Sequence, residues 1–409
     1  MTQHSAKPRI GKRLSLIAWL AFYCIAPAIA NSLSPLTYKQ LTVIHEQIDQ
    51  QAYDDALKTL NILLEDVGDH AYEKAVVLQT LGYVQTGRQD YPAAIQAFEQ
   101  SLALELLPDD TQQRIRYDLA QLCLTSGKTV KAINVLEYWF GQTQQAGAAA
   151  YVLLGQAYAQ NKQYRKAIPA LQRAIELSDT HHAEWYEALL AMHYELQSYQ
   201  ACIPLLKDMI RLFPQRRAYW KQLAHVHLAL NNHDAATATL ELALRDGALS
   251  REQELTQLAQ LYLYSGIPYK AARLLEKQME TGTVNDNATH RILLAQAWSA
   301  TGERQEAVRA LENAVNSAPD PELRLQLAQW YFEEERWQAA ETLLQPVTNR
   351  QGNSKFRAQA WLLLGIARFE QGKSVAAREA FHKASQLPGV NDTAHQWLQF
   401  IDTLAKENT

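Results

Sequence analysis

Apolar residues recur along this chain with a helical period that short polar turns interrupt at regular intervals. The clearest stretch runs from Ala148 to Asp179, AAAYVLLGQAYAQNKQYRKAIPALQRAIELSD. Tyr151, Leu154, Gly155 and Tyr158 fall on one face of a first helix. Gln160 to Gln163 form the turn, and Tyr164, Ala167, Ile168, Leu171, Ala174 and Ile175 mark a second helix. Gly155 and Ala167 are small where the two helix backbones are expected to approach, and Ala174 where a following hairpin must stack. One such hairpin has two apolar faces and can bury only one by itself, so it needs copies on either side.

The copies are present. A first pattern spans Tyr38 to Glu65, with Tyr53 and Ala56 opening its second helix. The next carry Leu78, Leu81, Gly82, Tyr91, Ala94 and Phe98, then Leu119, Ala120, Gly127, Ala132 and Leu136. After the stretch described above come Tyr186, Leu189, Tyr199, Cys202 and Leu206, stopped by Pro214, and then Trp220, Leu223, Ala224, Ala236, Leu240 and Ala243. Leu258, Ala259, Tyr262, Gly266, Ala271 and Leu275 mark a seventh; Leu294, Ala295, Trp298, Gly302, Ala307, Leu311, Ala314 and Pro319 an eighth. Leu327, Ala328, Tyr331, Ala340 and Leu344 mark a ninth, and Leu364, Gly365, Gly372, Ala377, Phe381 and Ala384 a tenth. Thr393 to Lys406 is a last amphipathic segment, predicted to cap the open end with Trp397, Leu398 and Ile401 facing inward.

The order bulky, Leu, Gly or Ala, Tyr, turn, Tyr, Ala, bulky, Ala resembles the tetratricopeptide repeat (TPR), a helix hairpin of about 34 residues. The resemblance implies an all-α fold, a right-handed superhelical solenoid of about ten helix hairpins over residues 37–390 with a capping helix over 393–406. Pro169 and Pro204 depart from the pattern, at one register inside the second helices of consecutive repeats, where each removes a hydrogen bond and is expected to bend its helix.

Composition narrows the picture. The chain has 409 residues, 47% hydrophobic, with a net charge of −4. It lacks the basic stripe of a nucleic-acid binder. The amino terminus reads as a signal peptide over residues 1–30. Lys7, Arg9, Lys12 and Arg13 precede an apolar run from Leu14 to Ile25, and Ala28-Ile29-Ala30 supplies a small-x-small cleavage site. The mature chain, 31–409, is then expected to be exported and free of a membrane span. Cys24 leaves with the leader, and Cys123 and Cys202 occupy pattern positions of buried free thiols.

No catalytic constellation stands out, and neither do metal-ligand spacing nor a cofactor fingerprint. His225 and His227, two apart on a helix, point to different faces and do not suit one ion. Glu333-Glu334-Glu335 falls at a hairpin turn, where a solvated acidic cluster is the expected reading. We therefore expect no enzyme, no metal and no cofactor. In TPR arrays the first helix of each hairpin lines a concave groove, and the residue after the Gly/Ala position faces it. The resemblance places Tyr83, Gln121, Gln156, His225, Gln260, Gln296 and Gln329 there, with His45, Ala191 and Ile366 at the same register. Tyr117, one turn before Gln121, joins the candidate groove, as do Leu124, Tyr194, Leu228, Leu263, Phe332 and Phe369 one turn after the groove position. A glutamine amide both donates and accepts hydrogen bonds, so a row of them can pair with the backbone of an extended peptide. No asparagine at the groove position provides a clamp for a terminal carboxylate.

A second resemblance is carried by Trp185-Tyr186, Phe213-Pro214, Tyr219-Trp220 and Ile267-Pro268-Tyr269-Lys270-Ala271-Ala272. These residues look like those of exported TPR proteins that accompany TonB–ExbB–ExbD systems of Gram-negative bacteria. That resemblance implies a periplasmic accessory protein whose partners are TonB-, ExbB- or ExbD-type components and whose role is to support transport through TonB-dependent outer-membrane receptors. Proline-rich TonB segments would meet Tyr194 and Phe332 with their rings and Gln260, Gln296 and Gln329 with their backbone. The alternative role is an assembly or substrate-binding factor for other envelope components.

Overall fold

Helix follows helix through the whole of what a computed structural model of the chain describes, residues 32–143, 145–318, 320–349 and 354–407. The expected leader and Pro319 lie outside the described residues. Two compact units divide the chain at Leu177. The first holds α1 (Pro35–Asp49), α2 (Tyr53–Asp66), α3 (Ala71–Gly87), α4 (Tyr91–Ala103), α5 (Asp109–Thr125), α6 (Thr129–Gln142), α7 (Ala148–Gln160) and α8 (Tyr164–Glu176). The second holds α9 (Ala183–Glu195), α10 (Tyr199–Leu212), α11 (Ala218–Ala229), α12 (His233–Arg245), α13 (Glu252–Tyr264), α14 (Pro268–Glu280) and α15 (Ala288–Thr301). It continues with α16 (Arg304–Ser317), α17 (Pro321–Glu333), α18 (Trp337–Thr348), α19 (Ser354–Glu370), α20 (Ser374–Ser385) and α21 (Asn391–Glu407). Each odd-numbered helix up to α19 pairs with its successor, giving the expected hairpins, and α21 packs on α20 as the cap. Among the described residues no helix is long and apolar enough to cross a membrane.

The hairpin turns follow one rule that the sequence only half displays. A residue in the left-handed region closes every first helix: Gln51, Gln89, Gly127, Lys162, Gln197, Asn231, Gly266, Gly302, Glu335 and Gly372. The N–H after it returns to a carbonyl five residues back, as in Gln163 N–H to Tyr158 O (2.8 Å) and Asn232 N–H to His227 O (2.8 Å). This is the Schellman closure, which glycine adopts without a Cβ penalty. Six hairpins place a side chain there instead. Gln197 (φ 53°) has no compensating side-chain bond to a described residue. We expect Gln197→Gly to raise stability by about 0.5–1 kcal/mol, read as a higher urea midpoint by circular dichroism.

The hairpin interior is set by a size pair. Gly82, Gly155 and Gly365 each lie under a bulky residue of the partner helix: Phe98, Leu171 and Phe381. At Gly155 the two helices approach as expected: a Cβ there would meet Leu171 Cγ at 2.8 Å and the backbone carbonyl oxygen of Ala167 at 3.5 Å. Where alanine replaces the glycine, as in Ala120, Ala224, Ala259, Ala295 and Ala328, the register held by Phe98, Leu171 and Phe381 carries a buried leucine: Leu136, Leu240, Leu275, Leu311 and Leu344. Pro169 and Pro204 are carried inside continuous helices, and Pro346 in α18 is a third such proline that pattern reading passed over.

Adjacent hairpins within each unit are tied by a recurring acid. Glu99, Glu137 and Glu241, late in a second helix, pair with Lys131, Lys166 (3.3 Å) and Lys270 (2.6 Å), early in the second helix of the next hairpin. Tyr158 Oη donates to Glu137 (2.7 Å), and Tyr331 Oη to Glu312 (2.5 Å), which Arg336 also approaches at 3.5 Å. The acidic turn Glu333-Glu334-Glu335 is correspondingly not just solvated: Arg304 pairs with Glu333 and Glu334.

Candidate functional site

The first helices present the candidate residues in each unit separately. In the first unit, Gln156 on α7 is exposed, and Tyr83 on α3, Tyr117 and Gln121 on α5 are half-buried. Tyr83 packs edge-on against Phe98 (5.0 Å between centroids) and donates its hydroxyl to Asp118 Oδ2 at 3.1 Å. Asp118 is half-buried and was not singled out by sequence. Burial pushes its carboxyl up, while the Tyr83 hydroxyl and the Arg114 charge pull the other way. Burial and the neighbouring Asp118 carboxylate both push the Tyr83 and Tyr117 phenols up. Tyr117 also opens a run of rings: Trp139 at 5.5 Å, Phe140 at 5.2 Å from that, and Tyr151 at 4.8 Å from Phe140. Thus Tyr83 of α3 meets Asp118 of α5, with Tyr117 next to that carboxylate in sequence. Leu124, expected beside them as an apolar pocket, is buried and offers none.

In the second unit, His225 on α11, Gln260 on α13, Gln296 on α15 and Gln329 on α17 are all exposed. The side chains of Gln156, Gln260, Gln296 and Gln329 make no hydrogen bond to another described residue. Tyr194 is less available than expected: its hydroxyl donates to the Gln222 carbonyl (3.4 Å), its ring lies 5.8 Å from Tyr199, and burial pushes its phenol up to about 12. Phe332 stands edge-on to Trp337 at 5.2 Å and is half-buried. Charged neighbours on the same helices are committed to joints between hairpins. Lys221 pairs with Glu254 (2.9 Å), and Glu187 accepts from Tyr219 Oη (2.6 Å) and Arg216 (2.8 Å). Burial would raise Glu254, but Lys221 and the backbone N–H groups of Ser250 and Arg251 hold it below the usual carboxylate range.

His225 and His227 take opposite faces, the first exposed and the second buried. Among the described residues no group of three or more His, Cys, Asp or Glu side chains could hold a metal ion. Cys123 and Cys202 are buried free thiols, each pushed up by burial. The chemistry on offer is hydrogen bonding by exposed amides, with aromatic and carboxylate groups in the first unit.

The tetratricopeptide-repeat family profiles match residues 148–181 and 325–390, so the chain carries tetratricopeptide repeats. No curated protein matches it. Among solved structures it is similar to MamA from Desulfovibrio magneticus RS-1, at 20% identity and TM-score 0.38, over 45% of this chain and 99% of that one. It is also similar to a tetratricopeptide repeat protein from Parabacteroides merdae ATCC 43184, at 14% identity and TM-score 0.39, over 64% and 98% of the two chains.

Proposed function

We propose that this chain is a non-enzymatic TPR scaffold, exported to the periplasm by its amino-terminal leader, that holds an extended protein segment along the first-helix face of its hairpins. The observation that carries the reading is the row of exposed glutamines in the second unit, Gln260, Gln296 and Gln329, at one register of consecutive hairpins and without hydrogen-bond partners among the described residues. Each offers a donor and an acceptor that a peptide backbone can satisfy whatever its side chains. We further assign the segment to a component of a TonB–ExbB–ExbD system. That assignment rests on the sequence resemblance around Trp185-Tyr186 and Ile267 to Ala272. Proline-rich segments suit such a surface because they lose little freedom on binding.

Replacing Gln260, Gln296 and Gln329 with alanine should leave the melting curve nearly unchanged, since alanine is the better helix former. Binding should weaken by about 0.5–1.5 kcal/mol for each hydrogen bond lost. Affinity capture from envelope extracts, wild type against triple variant, reads this directly. Equal recovery of TonB-, ExbB- and ExbD-type proteins by both would remove the glutamine face from the interaction. Recovery of a different envelope component instead would replace the TonB assignment with the assembly-factor alternative.

A further inference from the structure

We propose that Phe369, Trp397 and Phe400, where α19 meets α21, form a proline subsite that takes a lysine-flanked proline stretch of the bound segment. The inference deepens the reading above and rests on it. All three rings belong to the second unit, as do Gln260, Gln296 and Gln329. Register places them on the same face. The small position of α19 is Gly365, so Ile366 stands where Gln329 stands on α17. One repeat of about 34 residues further on, Phe400 takes that place on α21, and Trp397 takes the place of Leu363. The cap helix therefore continues the row of first helices. Along that row amide gives way to hydrocarbon: Gln260, Gln296 and Gln329, then Ile366 and Phe400.

The rings form one cluster. Phe369 lies 5.5 Å from Trp397 and 5.8 Å from Phe400, and Trp397 and Phe400 are 5.8 Å apart, centroid to centroid. Trp397 is held in place by stacking on Phe381 at 5.3 Å. Leu398 and Ile401 of α21 are buried, whereas Phe400 between them stays 48% exposed. Phe369, Trp397 and Ile366 are half-buried, so an apolar patch reaches the surface here. The rings meet at 58–82°, and a proline ring lies against such a surface without a deep cavity to enclose it. A polyproline backbone has no internal hydrogen bonds, so its carbonyls are free to accept from the glutamine amides further along the face. Glu370, next to Phe369 in sequence, is exposed, while the cations Arg368 and Lys373 are held by Glu341. Lysine beside the proline therefore suits the site better than glutamate.

Fluorescence anisotropy of the purified chain with labelled dodecapeptides tests this. The probes alternate lysine with proline, lysine with alanine, or glutamate with proline. Wild type should bind the lysine–proline peptide roughly tenfold more tightly than either of the others. Phe400→Gln, which places on α21 the amide that α17 carries, should lose that preference for proline while melting close to wild type. Phe400→Tyr keeps the ring and should bind as wild type does. Equal binding of the lysine–proline and lysine–alanine peptides, or a preference that survives Phe400→Gln, would overturn the subsite; equal binding of the glutamate–proline peptide would overturn its lysine flank. The variant with Gln260, Gln296 and Gln329 replaced by alanine separates the two readings. Lysine–proline binding lost there but kept in Phe400→Gln overturns the subsite and leaves the glutamine face standing. Binding lost in Phe400→Gln but kept in the triple variant supports the rings and removes the glutamines. If wild type binds none of the peptides, the subsite is overturned, and the capture experiment above still judges the glutamine face.

Discussion

Glu341→Gln is expected to cost about 3 kcal/mol at pH 7. Glu341 sits on α18 with its side chain 7% exposed, and one carboxylate holds Arg368 at 2.9 Å and Lys373 at 2.8 Å, with Gln371 at 3.2 Å. Burial alone would push its carboxyl up; Lys373, Arg368 and Gln371 instead hold it down at about 2, against an ordinary 4.5. The amide keeps the shape and removes the charge, which leaves the Arg368 cation, 17% exposed, without its counterion. Because the folded value lies below the unfolded one, the carboxylate stabilises the fold fully above pH about 4.5, and this contribution disappears as the pH falls through about 2. The gap between wild type and variant should therefore narrow to about 1 kcal/mol at pH 3. Urea titrations at pH 7 and pH 3 measure it, and a gap that stays constant would mean that the glutamate acts through packing and not through charge.

That network was invisible to pattern reading, and the reason is physical. Hairpin number, the small position of the first helix and the cap follow from periodicity and side-chain volume, which each residue displays locally. Glu341 looks like any polar residue on a second helix. Its burial arises only when Arg368 and Lys373 arrive from the next hairpin, 27 and 32 residues away in sequence. The ties at Glu137, Glu241 and Glu312 share this property. The turns were half legible: Gly127, Gly266, Gly302 and Gly372 announce a left-handed closure, whereas Gln51, Gln89, Lys162, Gln197, Asn231 and Glu335 adopt it because the helix end needs the returning N–H.

The candidate site divides in the same way. The register of a repeat fixes which residue follows the small position, so Gln260, Gln296 and Gln329 could be named and are exposed. Register does not report what a side chain does once folded. Tyr194 spends its hydroxyl on a backbone carbonyl, and Leu124 is covered. Asp118 needed the geometry of two helices, because its partner Tyr83 lies 35 residues earlier.

Phe381→Ala should have the largest effect on the carboxyl-terminal end, about 3–5 kcal/mol. Phe381 on α20 is fully buried, with Gly365 of α19 beneath it and Trp397 of α21 stacked on it at 5.3 Å and 6° between planes. Removing the ring opens a cavity and takes away the surface on which the cap rests. The loss should therefore appear first as protease cleavage within α21, since a terminal helix contacts only its neighbour. The size pair refines the expectation. A Cβ on Gly365 would meet Phe381 Cε1 at 2.6 Å, so Gly365→Ala alone should destabilise by about 1–3 kcal/mol. Combined with Phe381→Leu it recreates the combination of alanine and leucine that Ala259 and Leu275 place at the same register of α13 and α14, both buried, and most of the clash should be relieved. A double variant no more stable than Gly365→Ala would show that the pair is set by its neighbours in α21 and not by the complementarity of the two positions.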